Sequence, residues 1–331
     1  MVATDPLCRS CLPAARRPPE HLYPGVVTYL AHAERGDTVP PISWEQVLSA
    51  WNLEPLPVVA IALTGLVYGI GVWALRRRGD RWPVGRTASF VLGGLGSLLA
   101  ATNSSLATYD TVLLSMHMVQ HMMLSMVAPI FLALGAPVTL ALRSLPQRPR
   151  QVVLNVLHSR LAAVVASPPV AFAFFILSPW ALYFSGWYPA TLESPPLHEL
   201  LHLHFVLVGC LFFWPLLGLD PMPGRVAYPL RMLTVFATLP FHAFLGVTLM
   251  TMEEVIARDW YYSFDRDWSP SPVNDQYLAG GILWGAGDIV GLVMFGVLFV
   301  QWVRQSTREA AREDRRLDRE EAAAAAAARS R

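Results

Sequence analysis

The sequence has 331 residues, which at about 150 residues per soluble domain would suggest two domains, but its composition excludes an ordinary water-soluble protein. Hydrophobic residues make up 54% of the chain and charged residues only 15%, and the mean hydropathy is +0.40, which is too apolar for a soluble fold. The 25 basic residues are all arginine, and with 24 acidic residues they give a net charge of +1. This balance excludes nucleic-acid binding by phosphate neutralisation, and three cysteines cannot form a disulfide framework. The composition predicts a polytopic membrane protein.

The first 43 residues contain proline and charge but lack the basic and apolar regions of a signal peptide. We predict that residues 1–43 form an extracytoplasmic arm. The arm contains the motif Cys8-x-x-Cys11, which could pass copper or change redox state. Because no βαβ pattern surrounds the motif, a loose terminal segment is the preferred interpretation.

Seven uncharged apolar runs follow, each near the length of about 20 residues that crosses a bilayer core of about 30 Å. We predict an all-α protein in which residues 44–304 form a bundle of seven transmembrane helices. The predicted spans one to seven are residues 55–75, 87–104, 111–134, 162–183, 198–217, 229–251 and 278–303. The glycines of span two, Gly93, Gly94 and Gly96, suit close helix packing. Residues 305–331 form a charged, alanine-rich tail that is expected to extend span seven as a solvated helix.

The arginines alternate between loops and so predict the orientation, because cytoplasmic loops are enriched in arginine near the ends of spans. The loops after spans one, three and five and the start of the tail contain Arg76, Arg77, Arg78, Arg81, Arg86, Arg143, Arg148, Arg150, Arg160, Arg225, Arg231, Arg304 and Arg308. The other three loops contain only Arg258 and Arg266, beside several acids. We therefore predict that the N-terminus lies outside and the C-terminus in the cytoplasm.

The strongest functional signal is a group of histidines at one depth. Polar side chains inside spans are energetically expensive, so each is a functional hypothesis. In the predicted orientation, six of the nine histidines occupy the outer half of the membrane, namely His117, His121, His198, His202, His204 and His242.

Four of these histidines form two pairs with the same spacing. His117 and His121 on span three, and His198 and His202 on span five, are four residues apart, so both rings of a pair project from one helix face. Two such pairs on facing helices could supply three or four nitrogen ligands to a metal ion or haem. The alternative is that the histidines bind neither metal nor haem and that each forms a hydrogen bond to a neighbouring helix.

Methionine occupies five of the eleven positions 116–126. Met118 and Met122 lie on the arc of the helix next to the span-three histidines, and thioether together with imidazole favours copper, particularly Cu(I). A methionine run alone more often serves adaptable packing. The predicted metal ligands are His117, His121, His198, His202, His242, Met118 and Met122.

Four side chains are secondary candidates. His204 points away from the span-five pair, Met250 lies outward of His242 on roughly the same side of span six, and Cys210 lies below the span-five pair and partly round the helix. Asp288, about ten residues into span seven, is expected to face the bundle interior as a proton or polar-network group, or to pair with a histidine.

The chain resembles the CtaG family of cytochrome c oxidase assembly factors, which serve haem–copper oxidases of the aa and caa types. The resemblance covers about residues 45–305 and is carried by segments in the family's order. These segments are 76–83, 117–122, 134–137, 198–204, 212–215, 239–244, 275–276, 280–284 and 287–288.

The resemblance implies a multi-pass plasma-membrane protein without turnover chemistry that helps copper to reach cytochrome c oxidase subunits, with copper chaperones as further expected partners. The motif Cys8-x-x-Cys11 and the alanine-rich tail have no counterpart in the family. The residues that the resemblance carries over are His117, His121, His198, His202, His204, His242 and Asp288.

Two other classes stay open from the residues themselves. A seven-span zinc-dependent membrane hydrolase could use His121, His198 and His202 as three ligands and leave a fourth position for water, although the methionine run does not suit zinc. A haem b electron carrier could take axial histidines from spans three and five, but histidines would be left over unless two haems stack. A Soret band in the purified protein would distinguish the haem carrier.

Overall fold

The computed structural model describes residues 41–49, 51, 53–222, 226–264, 266–268 and 270–329. Over these ranges all regular secondary structure is helical, with no strand, which confirms the predicted all-α class. The arm predicted for residues 1–43 lies almost entirely outside the described residues, and Cys8 and Cys11 lie outside them.

Within the described part of the chain, six helices are long and apolar enough to cross a membrane, and the number rises to seven if a bent pair of helices is counted as one span. This confirms a multi-pass membrane protein. The bent pair, Pro168–Tyr183 and Trp187–Glu193, lies in the place of predicted span four and keeps that number here; the axes of its two helices meet at 70°. Spans one, two, three, five, six and seven are Pro55–Arg77, Val84–Tyr109, Leu114–Ser144, Pro195–Leu217, Tyr228–Thr251 and Pro272–Arg329.

Spans two and three each contain a π-helical stretch. Span two is made of Val84–Ala88, the π-helical Ser89–Leu95, Gly96–Asn103 and Ser105–Tyr109. Span three is made of Leu114–Met122, the π-helical Met123–Val127, Ala128–Leu134 and Pro137–Ser144. The short helices described outside the spans are Trp44–Ser49, Gln147–Leu157, Arg160–Val165 and Arg258–Tyr261. A π-helical stretch rotates the residues that follow it and is frequent at functional sites.

Large apolar side chains cover the outer surface of the spans. On span one, Leu63, Val67 and Ile70 are each more than half exposed, whereas Tyr68 and Leu75 are buried. An apolar surface of this extent marks a membrane-facing side, so span one turns one face to lipid and the other to the bundle.

Close backbone approaches hold the bundle together. Phe131 and Leu132 of span three occupy the space that a Cβ atom at Gly93 or Gly94 would need, which confirms the close packing expected of span two. A Cβ atom at Gly96 would lie 3.7 Å from the Val91 carbonyl oxygen of its own helix, which is an ordinary contact, so the close approach predicted for Gly96 is not seen. Gly209 of span five packs in the same manner against the backbone of the second π-helical stretch, and this contact brings spans three and five together next to the paired histidines.

Two buried carboxylates cap the helices of span three from elsewhere in the chain. Asp275, at the start of span seven, accepts hydrogen bonds from the amide of Leu114 at 2.6 Å and the hydroxyl of Ser115 at 2.5 Å. Asp220 accepts from the amide and hydroxyl of Thr139 at 2.7 Å and 2.6 Å. Because the first amides of a helix lack partners inside it, these contacts fix the starts of the first and last helices of span three against neighbouring segments.

Candidate metal centre

A buried polar cluster lies where spans three and five begin. Asp110, His198 and His202 each place one ligand atom within 4.8 Å of the others. The three side chains are at most 4% exposed. Ionisable groups buried this deeply must be paired or must bind an ion, because an isolated buried charge is very costly.

The two imidazoles of the cluster are directed at oxygen acceptors. His198 Nε2 lies 3.0 Å from Asp110 Oδ2. His202 Nε2 lies 3.0 Å from Gln120 Oε1 and 3.7 Å from the same Asp110 oxygen, and Gln120 Nε2 donates to the carbonyl of Ala101 at 3.0 Å. An ion that binds to these nitrogens would replace ring protons, because metal ligation needs the unprotonated nitrogen.

Local sequence explains why the cluster forms here. Proline at the start of span five begins the helix at Pro195, so His198 lies in its first turn and His202 one turn later, with ring centroids 4.6 Å apart. Asp110 lies in the short non-helical break before span three begins. Trp260 Nε1 donates to the carbonyl of Thr111 at 2.7 Å and holds this break in place.

The span-three histidines meet at one hydroxyl group. His117 Nε2 and His121 Nδ1 lie 3.1 Å and 2.8 Å from the Tyr183 hydroxyl. The His117 ring is 6.1 Å from the His198 ring, and its buried Nδ1 has no hydrogen-bond partner among the residues that the structure describes. The His121 ring instead stacks on Phe205 at 4.0 Å. His117 therefore borders the cluster and retains a nitrogen that could serve as a further ligand.

A second carboxylate lies on the other side of His202. Glu199 Oε1 is 3.7 Å from His202 Nδ1, and its side chain is 20% exposed. The two ring nitrogens of His202 thus face two different carboxylates, one fully buried and one at the edge of the bundle. Carboxylates beside a histidine ligand commonly orient its ring.

Met118 and Met122 are buried in the main hydrophobic core, at 0% and 4% exposure. Each follows one of the span-three histidines directly in the chain. Their role as copper ligands stays a prediction.

His242 and His204 lie apart from the cluster. The ring of His242 packs against the backbone of Gly287, and its Nδ1 lies 3.1 Å from the carbonyl of Thr238. His204 is half-buried and lies beside Phe205, with ring centroids 6.0 Å apart. The structure therefore brings together His198 and His202, with His117 at their border. His242 and His204 lie elsewhere in the bundle.

The other secondary candidates are also dispersed. Cys210 packs against the separate apolar cluster around spans one and two, and Met250 packs against Gly280 of span seven. Asp288 accepts a hydrogen bond from Trp284 on its own helix at 2.7 Å. Its other carboxylate oxygen, Oδ1, is buried and has no hydrogen-bond partner in the described part of the chain.

Three polar residues of this region were not predicted as site residues from the sequence. Asp110 lies in the break between the helices of spans two and three, so neither hydropathy nor helical spacing relates it to His198 and His202. Gln120 is an uncharged polar group within a span, and such a group needs a partner in a membrane. Tyr183 offers no signal in the sequence, because a tyrosine at the end of a span is typical of the membrane interface.

The helices and the buried histidine–carboxylate cluster define a class: a polytopic membrane protein with a candidate metal centre where spans three and five begin. The sequence model of the family described as "Cytochrome c oxidase caa3 assembly factor" matches residues 66–305. The chain belongs to this family, Caa3_CtaG, and the resemblance seen in its motifs is confirmed. The match gives no support to the zinc-hydrolase or haem b alternatives.

Three curated mycobacterial proteins, each described as uncharacterized, are similar to the chain. Those of Mycobacterium bovis and Mycobacterium tuberculosis are 39% identical over 280 residues, and that of Mycobacterium leprae is 36% identical over 277 residues. Each alignment covers 82% of this chain and 42% of the relative, so the chain spans about two-fifths of their length. No solved structure matches the chain.

Proposed function

We propose that this protein assists cytochrome c oxidase assembly in the plasma membrane by binding copper at Asp110, His198 and His202 and passing it towards oxidase subunits, without turnover chemistry of its own. The observation that carries the proposal is the convergence of three potential ligand atoms within 4.8 Å inside a family of oxidase assembly factors. Copper chaperones are the expected donors.

The donor set suits a transition metal rather than a hard cation. Imidazole nitrogen binds copper, zinc and iron well, and the unpartnered Nδ1 of His117 offers a third nitrogen at the border of the cluster. Two imidazoles and a carboxylate fit Cu(II) better than Cu(I). The Cu(I) prediction depends on the thioethers of Met118 and Met122.

The proposal is tested by elemental analysis of detergent-purified protein from copper-replete cells. The wild type is expected to contain copper, and the variants His198→Ala/His202→Ala and Asp110→Asn are expected to lose most of it. His204→Ala is the matched control, because this histidine lies on the same helix outside the cluster. Electron paramagnetic resonance would report nitrogen ligation if the bound ion is Cu(II).

A parallel measurement addresses the histidine pair of span three. If His117 is a ligand, His117→Ala/His121→Ala should lower the copper content, whereas unchanged copper would confine the site to Asp110 and span five. Wild-type protein with zinc in place of copper, or equal copper in wild type and His198→Ala/His202→Ala, would overturn the proposal. Cells that carry the cluster variants should also contain less active cytochrome c oxidase.

A further inference from the structure

A cavity of about 430 Å³ lies beside the start of span seven. Its lining includes four aromatic residues, Tyr261, Tyr262, Phe264 and Trp268. Among the lining residues that the structure describes, Arg266 is the one cation and Asp267 the one acid. Aromatic side chains with a few charged or polar groups are a typical lining for a ligand site.

The charge of Arg266 is not matched by a hydrogen-bond acceptor. All three of its guanidinium nitrogens are buried and have no hydrogen-bond partner in the described part of the chain, and the group lies over the Trp268 ring, 5.3 Å from its centroid. Burial lowers the pKa of the Arg266 guanidinium, and the charges of Asp275 and Tyr261 oppose this only in part. The Asp275 carboxylate accepts its hydrogen bonds from the start of span three instead. Because a buried charge without such partners is costly, the cavity favours an anion.

The position of the cavity indicates which anion. A guanidinium group can donate two parallel hydrogen bonds to the oxygens of a phosphate. The start of span seven, at Pro272, adds the partial positive charge of a helix N-terminus, which also favours phosphate. A span begins where the hydrocarbon core of the bilayer ends. The cavity therefore lies at the level of the phospholipid headgroups.

A groove continues from the cavity along the outer face of span seven. Asn274 lines the cavity, and Gly281 and Gly285 follow it by seven and eleven residues, so all three lie on one face of the helix. A Cβ atom at either glycine would meet no atom within 4 Å, whereas Leu278 and Trp284, on the two sides of this face, are 49% and 41% exposed. The two glycines thus form the floor of a groove that is open to lipid.

The length of the groove matches one leaflet of the membrane. From Asn274 to Gly285 the helix rises by about 16 Å, at 1.5 Å per residue. This is about half of a bilayer core of about 30 Å, which is the depth that the acyl chains of one leaflet fill. A headgroup in the cavity would therefore have its acyl chain directly above the two glycines.

We infer that the cavity and the groove together bind one glycerophospholipid, with its phosphate at Arg266 and an acyl chain along Gly281 and Gly285. The inference does not depend on the proposed copper site. Asp267 is exposed at the edge of the cavity and suits the ammonium group of an ethanolamine headgroup, because a carboxylate accepts hydrogen bonds from an ammonium group. The bound lipid anchors the loop between spans six and seven to the membrane surface.

The headgroup part is tested by isothermal titration calorimetry of the full-length protein in dodecyl maltoside with dioctanoyl-phosphatidylethanolamine. Arg266→Gln should weaken binding by roughly ten- to a hundred-fold, the factor for a hydrogen bond to a charged group. Arg266→Lys keeps the charge and should lose less. Arg258→Gln is the matched control and should bind like the wild type, because Arg258 is an exposed arginine of the same loop outside the described lining. Thermal unfolding in the same detergent checks that each variant is folded.

The groove part is tested with two glycine variants. Gly281→Leu fills the groove and should weaken binding of the same lipid by roughly ten-fold, the factor for about two methylene groups that are no longer buried. Gly296→Leu is its matched control, because a Cβ atom there also meets no atom within 4 Å. Gly296 lies about 33 Å along the helix from Asn274, beyond the reach of a lipid in that leaflet, so this variant should bind like the wild type.

Two further ligands separate a lipid site from a site for free phosphate. Inorganic phosphate should bind more weakly than the lipid, and dioctanoylglycerol, which has no phosphate, should bind more weakly as well. If inorganic phosphate binds as tightly as the lipid and Gly281→Leu changes neither affinity, the cavity is a site for free phosphate and the lipid assignment is wrong. The inference is also overturned if the wild type does not bind the lipid, or if Arg266→Gln and Arg266→Lys bind it as tightly as the wild type. None of these results bears on the copper content of the protein.

Discussion

His198 Nε2 lies 3.0 Å from Asp110 Oδ2, although 88 residues separate them in the chain. The contact joins the break before span three to the first turn of span five. Four helix ends meet here, because Asp275 of span seven caps span three one turn away and span four contributes Tyr183 and Tyr188. The candidate site is therefore held by contacts between helix ends, and substitutions at these contacts should be measurable as stability changes.

Tyr183→Phe should destabilise the protein by about 1–3 kcal/mol, the cost of leaving buried hydrogen-bonding groups without a partner. The substitution removes the one hydroxyl that His117 and His121 both contact. Thermal unfolding in detergent is the measurement, and Tyr277→Phe, at an exposed position of span seven, is the control. Equal melting temperatures for Tyr183→Phe and wild type would show that this hydroxyl does not hold the two rings.

Asp275→Ala should lower stability by about 2 kcal/mol. The loss combines the cost of a missing helix cap with that of the unpaired Leu114 amide and Ser115 hydroxyl. Asn274→Ala is the control, since it changes the neighbouring, exposed side chain. Hydrogen exchange at the start of span three should rise in Asp275→Ala alone. An unaltered exchange pattern would contradict the capping role.

Gly280→Ala and Gly281→Ala should have opposite effects. A Cβ atom at Gly280 would lie 2.5 Å from the carbonyl oxygen of Gly246, so spans six and seven would have to separate, at a cost of about 1–3 kcal/mol. A Cβ atom at Gly281 meets no atom within 4 Å, and alanine is the better helix former by about 1 kcal/mol. Melting temperatures of the two variants in the same detergent should move apart in these directions. A loss of stability in Gly281→Ala as large as that in Gly280→Ala would refute the close approach.

A reporter fused after Arg331 should be active only as a cytoplasmic enzyme, because the arginine-rich loops alternate with acidic ones along the chain. A periplasm-active reporter fused in the loop after span six, near Arg258, should be active. The reverse result at both positions would mean that the predicted orientation is inverted and that the candidate metal centre lies on the cytoplasmic side.

Hydropathy alone predicts most of the fold. Six of the seven apolar runs correspond to single candidate spans, and the run 162–183 corresponds to the bent pair, because the bilayer imposes one length on every helix that crosses it. The limits of the spans are less well predicted. Span three continues to Ser144, beyond the predicted end at 134, because Ala136 takes a left-handed conformation (φ 47°) and Pro137 starts a further helix.

The sequence predicts some residues of the candidate site but not how they come together. The spacing of His198 and His202 shows from the sequence that both rings share one helix face. The sequence does not show which of the six histidines converge, because this depends on how each helix is rotated about its own axis in the bundle. Asp110 belongs to the cluster because the helix breaks at that residue, and hydropathy does not detect such a break.

The last helix extends far beyond the lipid. It is 58 residues long, which at 1.5 Å per residue corresponds to about 87 Å, nearly three times the thickness of a bilayer core. Ion pairs one turn apart, such as those of Arg316 with Glu313 and Glu320, stiffen its solvated half. Its last 25 residues, 305–329, correspond to about 38 Å and would act as a strut that sets the distance between the bundle and any group bound near Arg329.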